Sequence, residues 1–282
     1  MEIRFEKVNF QYSGLTDTTH ALKGVDLTIN GTGEFIAVVG HTGSGKSTLV
    51  QLMNGLLVPN SGVVNAFGFK LPAKKRQKIN ELRQEVGLVF QFPEYQLFEE
   101  TVLKDIMFGP KNFKKTAANA EERALEAAKL VGLNDEILKA SPFRISGGQM
   151  RRAAIAGILA MDPKVLVLDE PTRGLDPQGR TEMMELFKEI HEKTNKTIIL
   201  ITHDMDLVSE YAKRVIVLSD GLITFDGTKE ELFEKENFKD YHLSEPQTIK
   251  ILKYLEEETG LKFEEKYTYE SLLEYIVEAR DE

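Results

Sequence analysis

The chain has 282 residues, of which 41% are hydrophobic, enough for one large α/β domain with an appendage or for two modest domains. Its net charge of -9 supports neither a nucleic-acid-binding surface nor direct adhesion to an anionic membrane. The lack of cysteine excludes disulfides and thiol chemistry, and the five histidines show no metal-ligand spacing. Apolar runs reach about five residues, far short of the ~20 that a membrane span needs, and the start of the chain has no signal-peptide pattern. We therefore expect a soluble, cytoplasmic protein that reaches a membrane only through a partner.

The first segments predict strands. Residues 3–12 alternate apolar and polar side chains, as a half-buried antiparallel strand does, and residues 21–29 predict a second strand that ends at Asn30-Gly31. The basic run at 74–78 predicts a solvated face. Further strands are predicted at 35–39, 63–67 and 86–90.

A glycine-rich loop at residues 40–47 reads G-H-T-G-S-G-K-S and lies between the strand at 35–39 and a helical pattern. Its glycines let the backbone turn tightly, so several N–H groups and the positive end of the following helix face one anion. Lys46 adds a full charge for the β- and γ-phosphates, and the Ser47 hydroxyl is a suitable ligand for Mg²⁺. This stretch predicts a nucleoside triphosphate site.

The middle of the chain changes character. Residues 101–161 have a helical pattern without a strand-like run, which predicts a helical subdomain inserted at about 92–161. After it, short apolar runs predict strands buried on both faces, and the core resumes. The remaining predicted elements of the core are strands at 165–168 and 197–201, helices at 178–194 and 204–212, and a hairpin at 214–225.

The last part of the chain predicts a helical extension. Residues 246–258 and 268–279 both read as amphipathic helices, but about 40 residues bury little surface alone. We therefore expect the extension to dock on the core or on a partner. The predicted division is a nucleotide-binding domain at 1–235 and a C-terminal extension at 236–282.

Two carboxylates follow the apolar run at 165–168. Because strand carboxyl ends line the ligand crevice of an open α/β sheet, Asp169 is expected in the shell of Mg²⁺. Glu170 then lies near the γ-phosphate, where it can orient and deprotonate the attacking water. An ordinary strand end is the alternative reading, and the phosphate loop argues against it.

A second anion site is predicted at the start of a helix, where residues 145–149 read I-S-G-G-Q. This sequence closely resembles the L-S-G-G-Q signature of ABC ATPases. The order of motifs also resembles that family: the phosphate loop, Gln91, the signature, Asp169-Glu170, Gly174-Leu175-Asp176 and His203. The resemblance implies a P-loop NTPase core of the ABC ATPase type, with an antiparallel β subdomain, the inserted helical subdomain and the short helical extension.

The resemblance implies a role for each matching residue. Glu170, His203 and Lys46 are the catalytic residues; His203 holds the γ-phosphate and Glu170. Mg²⁺ is bound by Ser47, Gln91 and Asp169, and Asp176 belongs to the loop that contacts the other subunit. The signature residues that reach the ATP of the opposite subunit are Ser146, Gly147, Gly148 and Gln149. The ATP contacts are Tyr12, Gly40, His41, Thr42, Gly43, Ser44, Gly45, Lys46, Ser47, Thr48 and Gln91.

In the family, two subunits hold two ATP molecules between the phosphate loop of one and the signature of the other, which explains the second anion site. Tyr12 stacks on adenine under this reading, and an exposed strand tyrosine is the alternative. Three positions depart from the pattern: Ile145 replaces leucine, Arg173 stands where serine often occurs, and His41 occupies a variable position. Since no catalytic group is missing, we expect a competent site.

Two segments resemble the ATPases of energy-coupling-factor transporters: residues 91–102, which read Q-F-P-E-Y-Q-L-F-E-E-T-V, and residues 141–144. These transporters use two related ATPases, and the sequence F-P-E-Y-Q-L-F looks more like the second of the pair. The resemblance implies a homologous ATPase partner in a heterodimer or a homodimer, a transmembrane scaffold subunit and a substrate-binding membrane subunit. It also implies a peripheral place on the cytoplasmic face of the membrane, the uptake of vitamins or other micronutrients, and an extension that serves dimerisation. The aromatic residues Phe92, Tyr95 and Phe98 suit a groove for a partner's helix, or packing inside the subdomain.

Two rival functions are considered. A non-transport ABC ATPase acting on nucleic acid or ribosomes would show nucleic-acid-stimulated hydrolysis. A regulatory nucleotide-binding module without turnover is disfavoured because Glu170 and His203 are both present.

Overall fold

A computed structural model describes residues 2–13, 18–73, 79–234 and 237–281. The basic run at 74–78 and the predicted domain boundary after residue 235 lie outside these residues. The strands are β1 (Glu2–Ser13), β2 (Thr18–Asn30), β3 (Phe35–Val39), β4 (Ser61–Ala66), β5 (Phe69–Leu71), β6 (Val86–Val89), β7 (Val165–Asp169), β8 (Thr197–Ile201), β9 (Arg214–Ser219) and β10 (Leu222–Thr228). The α-helices are α1 (Lys46–Met53), α2 (Asn80–Glu85), α3 (Val102–Lys111), α4 (Ala120–Leu130), α5 (Asp135–Lys139), α6 (Gly147–Leu159), α7 (Pro177–Thr194), α8 (Met205–Tyr211), α9 (Lys229–Glu234), α10 (Gln247–Thr259) and α11 (Tyr269–Asp281).

The first sheet is antiparallel, with strands in the order β2-β1-β4-β5. Its buried side chains do not alternate strictly, because Ile3 and Phe5 are followed by Val8 and Phe10. The register with β2 shifts between Phe5 and Val8, and Lys7 has a φ of 48°. This β-bulge keeps both halves of β1 facing the same core.

The second sheet has the order β10-β9-β3-β8-β7-β6 and is parallel except for the edge pair β10 and β9. Strands β3 and β8 are buried along their whole length, as their continuous apolar runs predict. Ile36 and Val38 pack toward α1 and the antiparallel sheet, while Phe35 packs toward α7 on the other face. Each such side chain contributes about 1.5–3 kcal/mol by leaving water. The carboxyl ends of β3, β8, β7 and β6 meet at one edge, where ligands bind in sheets of this type.

Helices α3 to α6 pack on one another and on α7 around a single apolar cluster. Residues 101–161 are all described and contain no strand, as the helical pattern predicts. Side chains define the starts of these helices: Thr101 accepts from Lys104 N, and Asn134 accepts from Ile137 N. In the described part of the chain, no helix combines the length and apolarity required to cross a membrane.

The extension docks on the core through α8. The Gln247 N–H donates to Asp206 Oδ1 over 2.6 Å, the Tyr269 N–H donates to Glu210 Oε2 over 3.1 Å, and Ser209 Oγ donates to the carbonyl of Tyr267. Helices α10 and α11 meet in a small cluster whose buried members are Ile249, Leu252 and Leu272. One of the two expected docking surfaces, the core, is therefore confirmed.

Candidate active site

The phosphate loop is clamped between two backbone segments. Gly40 has a φ of 142°, and a Cβ there would lie 2.0 Å from the Leu218 carbonyl oxygen. Gly45 has a φ of 107°, and a Cβ there would lie 2.3 Å from the Ala21 carbonyl oxygen. Only glycine fits at either position, because both the conformation and the space exclude a side chain. The loop is thus preformed at the start of α1, with its N–H groups available to an anion.

Lys46 lies inside this loop. Its Nζ donates to the carbonyl oxygens of Gly40 and His41, each over 2.8 Å. Burial lowers the pKa of Lys46, and the carboxylates of Glu170 and Asp169 partly oppose that change. A half-buried cation held by carbonyls and facing two carboxylates is a site prepared for the negative charge of phosphate.

Ser47 and Asp169 meet at the edge of the sheet, where Ser47 Oγ donates to Asp169 Oδ2 over 3.5 Å. Burial and the neighbouring Glu170 carboxylate raise the pKa of Asp169, against the opposing influence of Ser47 and Lys46. A hydroxyl and a carboxylate are the oxygen ligands that Mg²⁺ takes alongside phosphate oxygens, so this pair fits the ion. Among the described residues, no group of three or more His, Cys, Asp or Glu side chains is arranged to hold a metal ion.

Replacing Asp169 with asparagine is expected to stabilise the nucleotide-free protein, because the change removes a half-buried carboxylate beside Glu170. The folded-state pKa of Asp169 is raised, so the native state holds its proton more tightly and the ionised group costs stability above the unfolded pKa of about 3.9. We expect Tm at pH 7 to rise by about 2–4 °C. The difference in Tm between the variant and the unsubstituted protein should become smaller as the pH approaches ~4. A lower Tm for the variant at pH 7 would contradict this electrostatic explanation.

Glu170 and His203 form the pair nearest to the expected reaction. His203 Nδ1 lies 2.8 Å from Glu170 Oε1, so an N–H at Nδ1 donates to the carboxylate. Glu170 has a φ of 50°, a strained conformation for a residue with a side chain, and its N–H donates to the Ile201 carbonyl. The side chain of His203 is 76% exposed and that of Glu170 is 17% exposed. The histidine therefore faces the open side of the site while the carboxylate is sheltered beside Lys46.

A cavity of about 660 Å³ joins the phosphate loop to this pair. It is also lined by residues that sequence reasoning missed. Two of them are Asp204 and Arg180, whose Oδ2 and Nη1 atoms lie 3.8 Å apart. The others form the turn at 242–244, which belongs to the C-terminal extension. Asp204 follows His203 directly and caps α8, a local signal that could have been read. The turn at 242–244 has no such signal, because only the docking of the extension brings it to the cavity.

Tyr12 and Gln91 lie at the borders of the site. Tyr12 is 45% exposed, and its hydroxyl is 3.2 Å from Thr48 Oγ1, which places the ring beside the first turn of α1. Gln91 follows β6, whose Val89 pairs with Leu168 of β7. It therefore emerges from the same edge as Asp169. Adenine stacking by Tyr12 and ion binding by Gln91 stay predictions.

The signature lies on the surface at the start of α6. Ser146 Oγ accepts from Gln149 N over 3.3 Å, and Gln149 Oε1 accepts from Ser146 N over 2.9 Å, which forms a capping box. The N–H groups of Gly147 and Gly148 belong to the first turn and have no acceptor within the helix. In the described part of the chain, none of these residues lines the cavity around Lys46.

The other predicted positions have definite surroundings. Asp176 Oδ1 accepts from Gly179 N over 2.8 Å and caps α7, and its side chain is exposed. Ile145 packs against the apolar cluster of the helical subdomain. Arg173 is exposed beside the cavity. His41 Nε2 lies 3.6 Å from Asp220 Oδ1, which joins the phosphate loop to the turn between β9 and β10.

Comparison with known proteins gives the same family by three routes. A sequence model of the family described as ABC transporter matches residues 22–173, more than half of the chain. The chain is 57% identical to the energy-coupling factor transporter ATP-binding protein EcfA2 of Ligilactobacillus salivarius (strain UCC118), over 88% of this chain and 86% of that protein. It is 53% identical to EcfA2 of Bacillus subtilis (strain 168), over 83% of this chain and 85% of that protein.

The fold is similar to solved ABC structures. The structure of cbiO1 from Clostridium perfringens, part of the ABC transporter complex cbiONQ, has a TM-score of 0.73 and 36% identity, covering 92% of this chain and 95% of that one. A dimeric post-hydrolysis structure of the ATP-binding cassette MJ0796, bound to ADP and Pi, has a TM-score of 0.69 and 29% identity, covering 80% of this chain and 98% of that one.

Proposed function

The chain belongs to the ABC transporter family, as an energy-coupling factor transporter ATP-binding protein, and we propose from this premise that it powers the uptake of a vitamin or another micronutrient through membrane subunits. It is the ATP-binding and ATP-hydrolysing subunit of the importer. The observation that carries the catalytic assignment is the 2.8 Å contact between His203 and Glu170 beside Lys46 at the carboxyl edge of the sheet.

The proposed mechanism uses charge placed in advance. The phosphate loop and Lys46 hold the triphosphate, and the Glu170 carboxylate takes a proton from the attacking water. An N–H on His203 Nδ1 keeps the carboxylate oriented, and Nε2 donates to the γ-phosphate when the ring carries a proton on both nitrogens. Ser47, Asp169 and Gln91 would hold Mg²⁺, which when bound neutralises developing charge on the phosphate oxygens.

The site is completed by a second subunit in this proposal. The signature at 146–149 presents the N–H groups of Gly147 and Gly148, which have no acceptor within the helix, but it stands apart from the cavity that contains Lys46. It therefore serves the ATP of a homologous ATPase subunit, in a heterodimer or a homodimer, while the signature of that partner serves this site. ATP then acts as a removable clamp between the subunits.

A groove on the helical subdomain is the proposed contact with the membrane scaffold subunit. Its volume is about 570 Å³, and its lining includes Phe98 before α3, Phe108 of α3 and further residues of α3 and α6. The two rings meet edge to face at 4.9 Å and remain 58% and 47% exposed. Exposed aromatics in an apolar groove suit an amphipathic helix. We propose that this contact holds the chain, as a peripheral subunit, on the cytoplasmic face of the membrane.

Replacing Phe98 and Phe108 together with alanine is expected to weaken association with the membrane subunits by at least about tenfold, because the two rings supply the exposed apolar surface of the groove. ATP binding should stay unchanged. Both quantities can be measured on the co-purified complex, by the yield of the complex and by calorimetry, together with the stimulation of hydrolysis by the membrane subunits.

The control is Leu222→Ala, which removes a side chain that is 47% exposed on the edge strand β10, outside the groove. It should leave assembly intact. Hydrolysis that responds to nucleic acid or ribosomes and not to membrane subunits would contradict the transport assignment and favour the non-transport alternative.

The C-terminal extension is the proposed dimerisation element. Leu273 and Val277 lie one turn apart on α11 and are 63% and 60% exposed, and Tyr254 of α10 is 62% exposed. Apolar side chains exposed in series on a docked helix favour contact with a matching helix pair of another ATPase subunit.

Leu273→Glu combined with Val277→Glu is expected to weaken subunit pairing without nucleotide by about tenfold or more, with little change in ATP affinity. Sedimentation velocity measures the first and calorimetry the second. These substitutions are sharper than truncation after residue 235, because truncation also removes Phe238 and Tyr267 from a core cluster. Glu278→Gln on the same helix is the control, and unchanged pairing in the double variant would remove this role.

A further inference from the structure

One arginine of the signature helix is buried at the meeting point of three segments. Arg151, in the second turn of α6, is 5% exposed. Its Nε and Nη2 donate to the two carboxylate oxygens of Glu94 over 3.0 and 2.8 Å. Its Nη1 donates to the carbonyl oxygens of Arg173 over 3.1 Å and Pro171 over 3.4 Å. The planar guanidinium is suited to such a fork, which an ammonium group cannot reproduce.

Each partner of Arg151 belongs to a functional segment. Glu94 lies in the 3₁₀ turn Pro93–Gln96, three residues after Gln91, and the next residues Leu97 and Phe98 line the groove. Asp105 fixes this segment from α3, since its carboxylate accepts from the N–H groups of Phe98 and Glu99. Glu94 of the ion pair and Phe98 of the groove wall therefore belong to one short segment that hydrogen bonds to Asp105 hold in place.

The carbonyl groups that Arg151 holds belong to the turn that starts at Glu170. The Arg173 N–H donates to the Glu170 carbonyl over 3.1 Å and closes the turn, and Glu170 itself has a φ of 50°. A strained residue keeps its conformation only when its surroundings hold it there. Arg151 supplies part of that support, because it binds both Pro171 and Arg173 from the opposite subdomain.

We propose that Arg151 is a positioning residue for Glu170. In this proposal it transmits a displacement of the segment at 93–98, which borders the groove, to the turn that carries the catalytic carboxylate. A partner helix that enters the groove moves the segment 93–98, Glu94 moves with it, and the guanidinium shifts the carbonyls of Pro171 and Arg173. The inference rests on the groove contact proposed above. It gives the membrane subunit a physical connection to the rate of hydrolysis that does not require a change in ATP affinity.

The alternative is that the ion pair of Arg151 and Glu94 only stabilises the fold. Another buried carboxylate of this chain, Glu85, provides a comparison for that case. Glu85 is a buried carboxylate paired with Lys115 and Lys164, and it precedes β6, at the opposite end of the strand from Gln91. Removal of one partner from a buried pair lowers stability at either place. Only the pair at Arg151 should also change the response to the membrane subunits.

The test compares Glu94→Gln, Arg151→Lys and the control Glu85→Gln in the assembled transporter and in the free chain. The measured quantity is the stimulation of kcat by the membrane subunits, with ATP Kd and Tm of the free chain alongside. We expect stimulation to fall about tenfold in the first two variants and to persist in Glu85→Gln, with ATP Kd within about twofold throughout. Stimulation that stays within about twofold of the unsubstituted complex in both variants, or an equal loss in Glu85→Gln, would overturn the inference.

An exchanged pair, Glu94→Arg with Arg151→Glu, keeps the inference testable if a single variant does not fold. It restores the ion pair but provides no donor for the carbonyls at 171 and 173, so it should fold and remain weakly stimulated. Full recovery of stimulation would reduce Arg151 to a structural role. If the unsubstituted complex itself shows no stimulation, the proposed transport function fails first, and the inference fails with it.

Discussion

Glu170→Gln is expected to lower ATP turnover by about 10²–10⁴-fold while ATP still binds, because an amide cannot accept the proton of the attacking water. The amide oxygen can still accept from His203 Nδ1, which lies 2.8 Å from the carboxylate oxygen, so the geometry of the site is preserved. ATP should then remain bound and hold the subunits together. We expect a stable dimer with ATP and a monomer or a weaker dimer without it, measured by light scattering.

The matched control is Glu182→Gln, which changes an exposed carboxylate on α7 that pairs with Arg152 away from the cavity. It should leave turnover unchanged. Hydrolysis at the unsubstituted rate in Glu170→Gln would contradict the catalytic assignment, whatever its effect on dimerisation.

Lys46→Ala is expected to weaken ATP binding by about 10–100-fold, since a charge-assisted hydrogen bond contributes about 1.5–3 kcal/mol. The Lys46 ammonium also bonds the carbonyls of Gly40 and His41, so its loss leaves the loop less ordered before nucleotide arrives. Calorimetric titration with ATP measures the effect directly. Lys188→Ala, on the exposed face of α7, is the control for the loss of one positive charge, and an equal loss of affinity there would contradict a specific phosphate contact.

Local patterns predicted much of this site, because its parts lie at the ends of recognisable strands. The loop at 40–47 follows a buried strand and opens α1, while Asp169 ends β7 and His203 lies two residues after β8, at the same edge. The predicted ABC ATPase fold is confirmed by similarity to solved cassettes. The division into domains and the roles of individual residues stay predictions.

The parts of the site that the sequence did not predict depend on contacts between segments that are distant along the chain. The turn at 242–244 reaches the cavity because the extension docks on the core, where Leu243 packs against an apolar cluster and Gln247 and Tyr269 bond to α8. Of the aromatics singled out for the groove, Phe98 lines it, but Tyr95 is 84% exposed outside it and Phe92 lies near Arg151. A short 3₁₀ turn after Gln91 directs these side chains apart, and no periodicity in the sequence predicts it.

The same limit applies to the buried pair of Arg151 and Glu94. In the sequence both residues look like ordinary charges on a solvated helix or loop, and 57 positions separate them. Only packing of α6 against the segment at 93–96 removes both from water. The burial of Arg151, which the sequence does not predict, is therefore what indicates that this charge has a role beyond solvation.

The central claim is that the site at Lys46 and Glu170 is complete only when another subunit supplies its signature. The most direct test is the specific ATPase activity of the purified ATPase subunits as a function of their concentration, across a range from about 10 nM to about 10 μM. We expect activity per chain to rise with concentration and to reach a plateau as dimers form. Activity per chain that is constant over the whole range, from subunits that sediment as monomers, would contradict it.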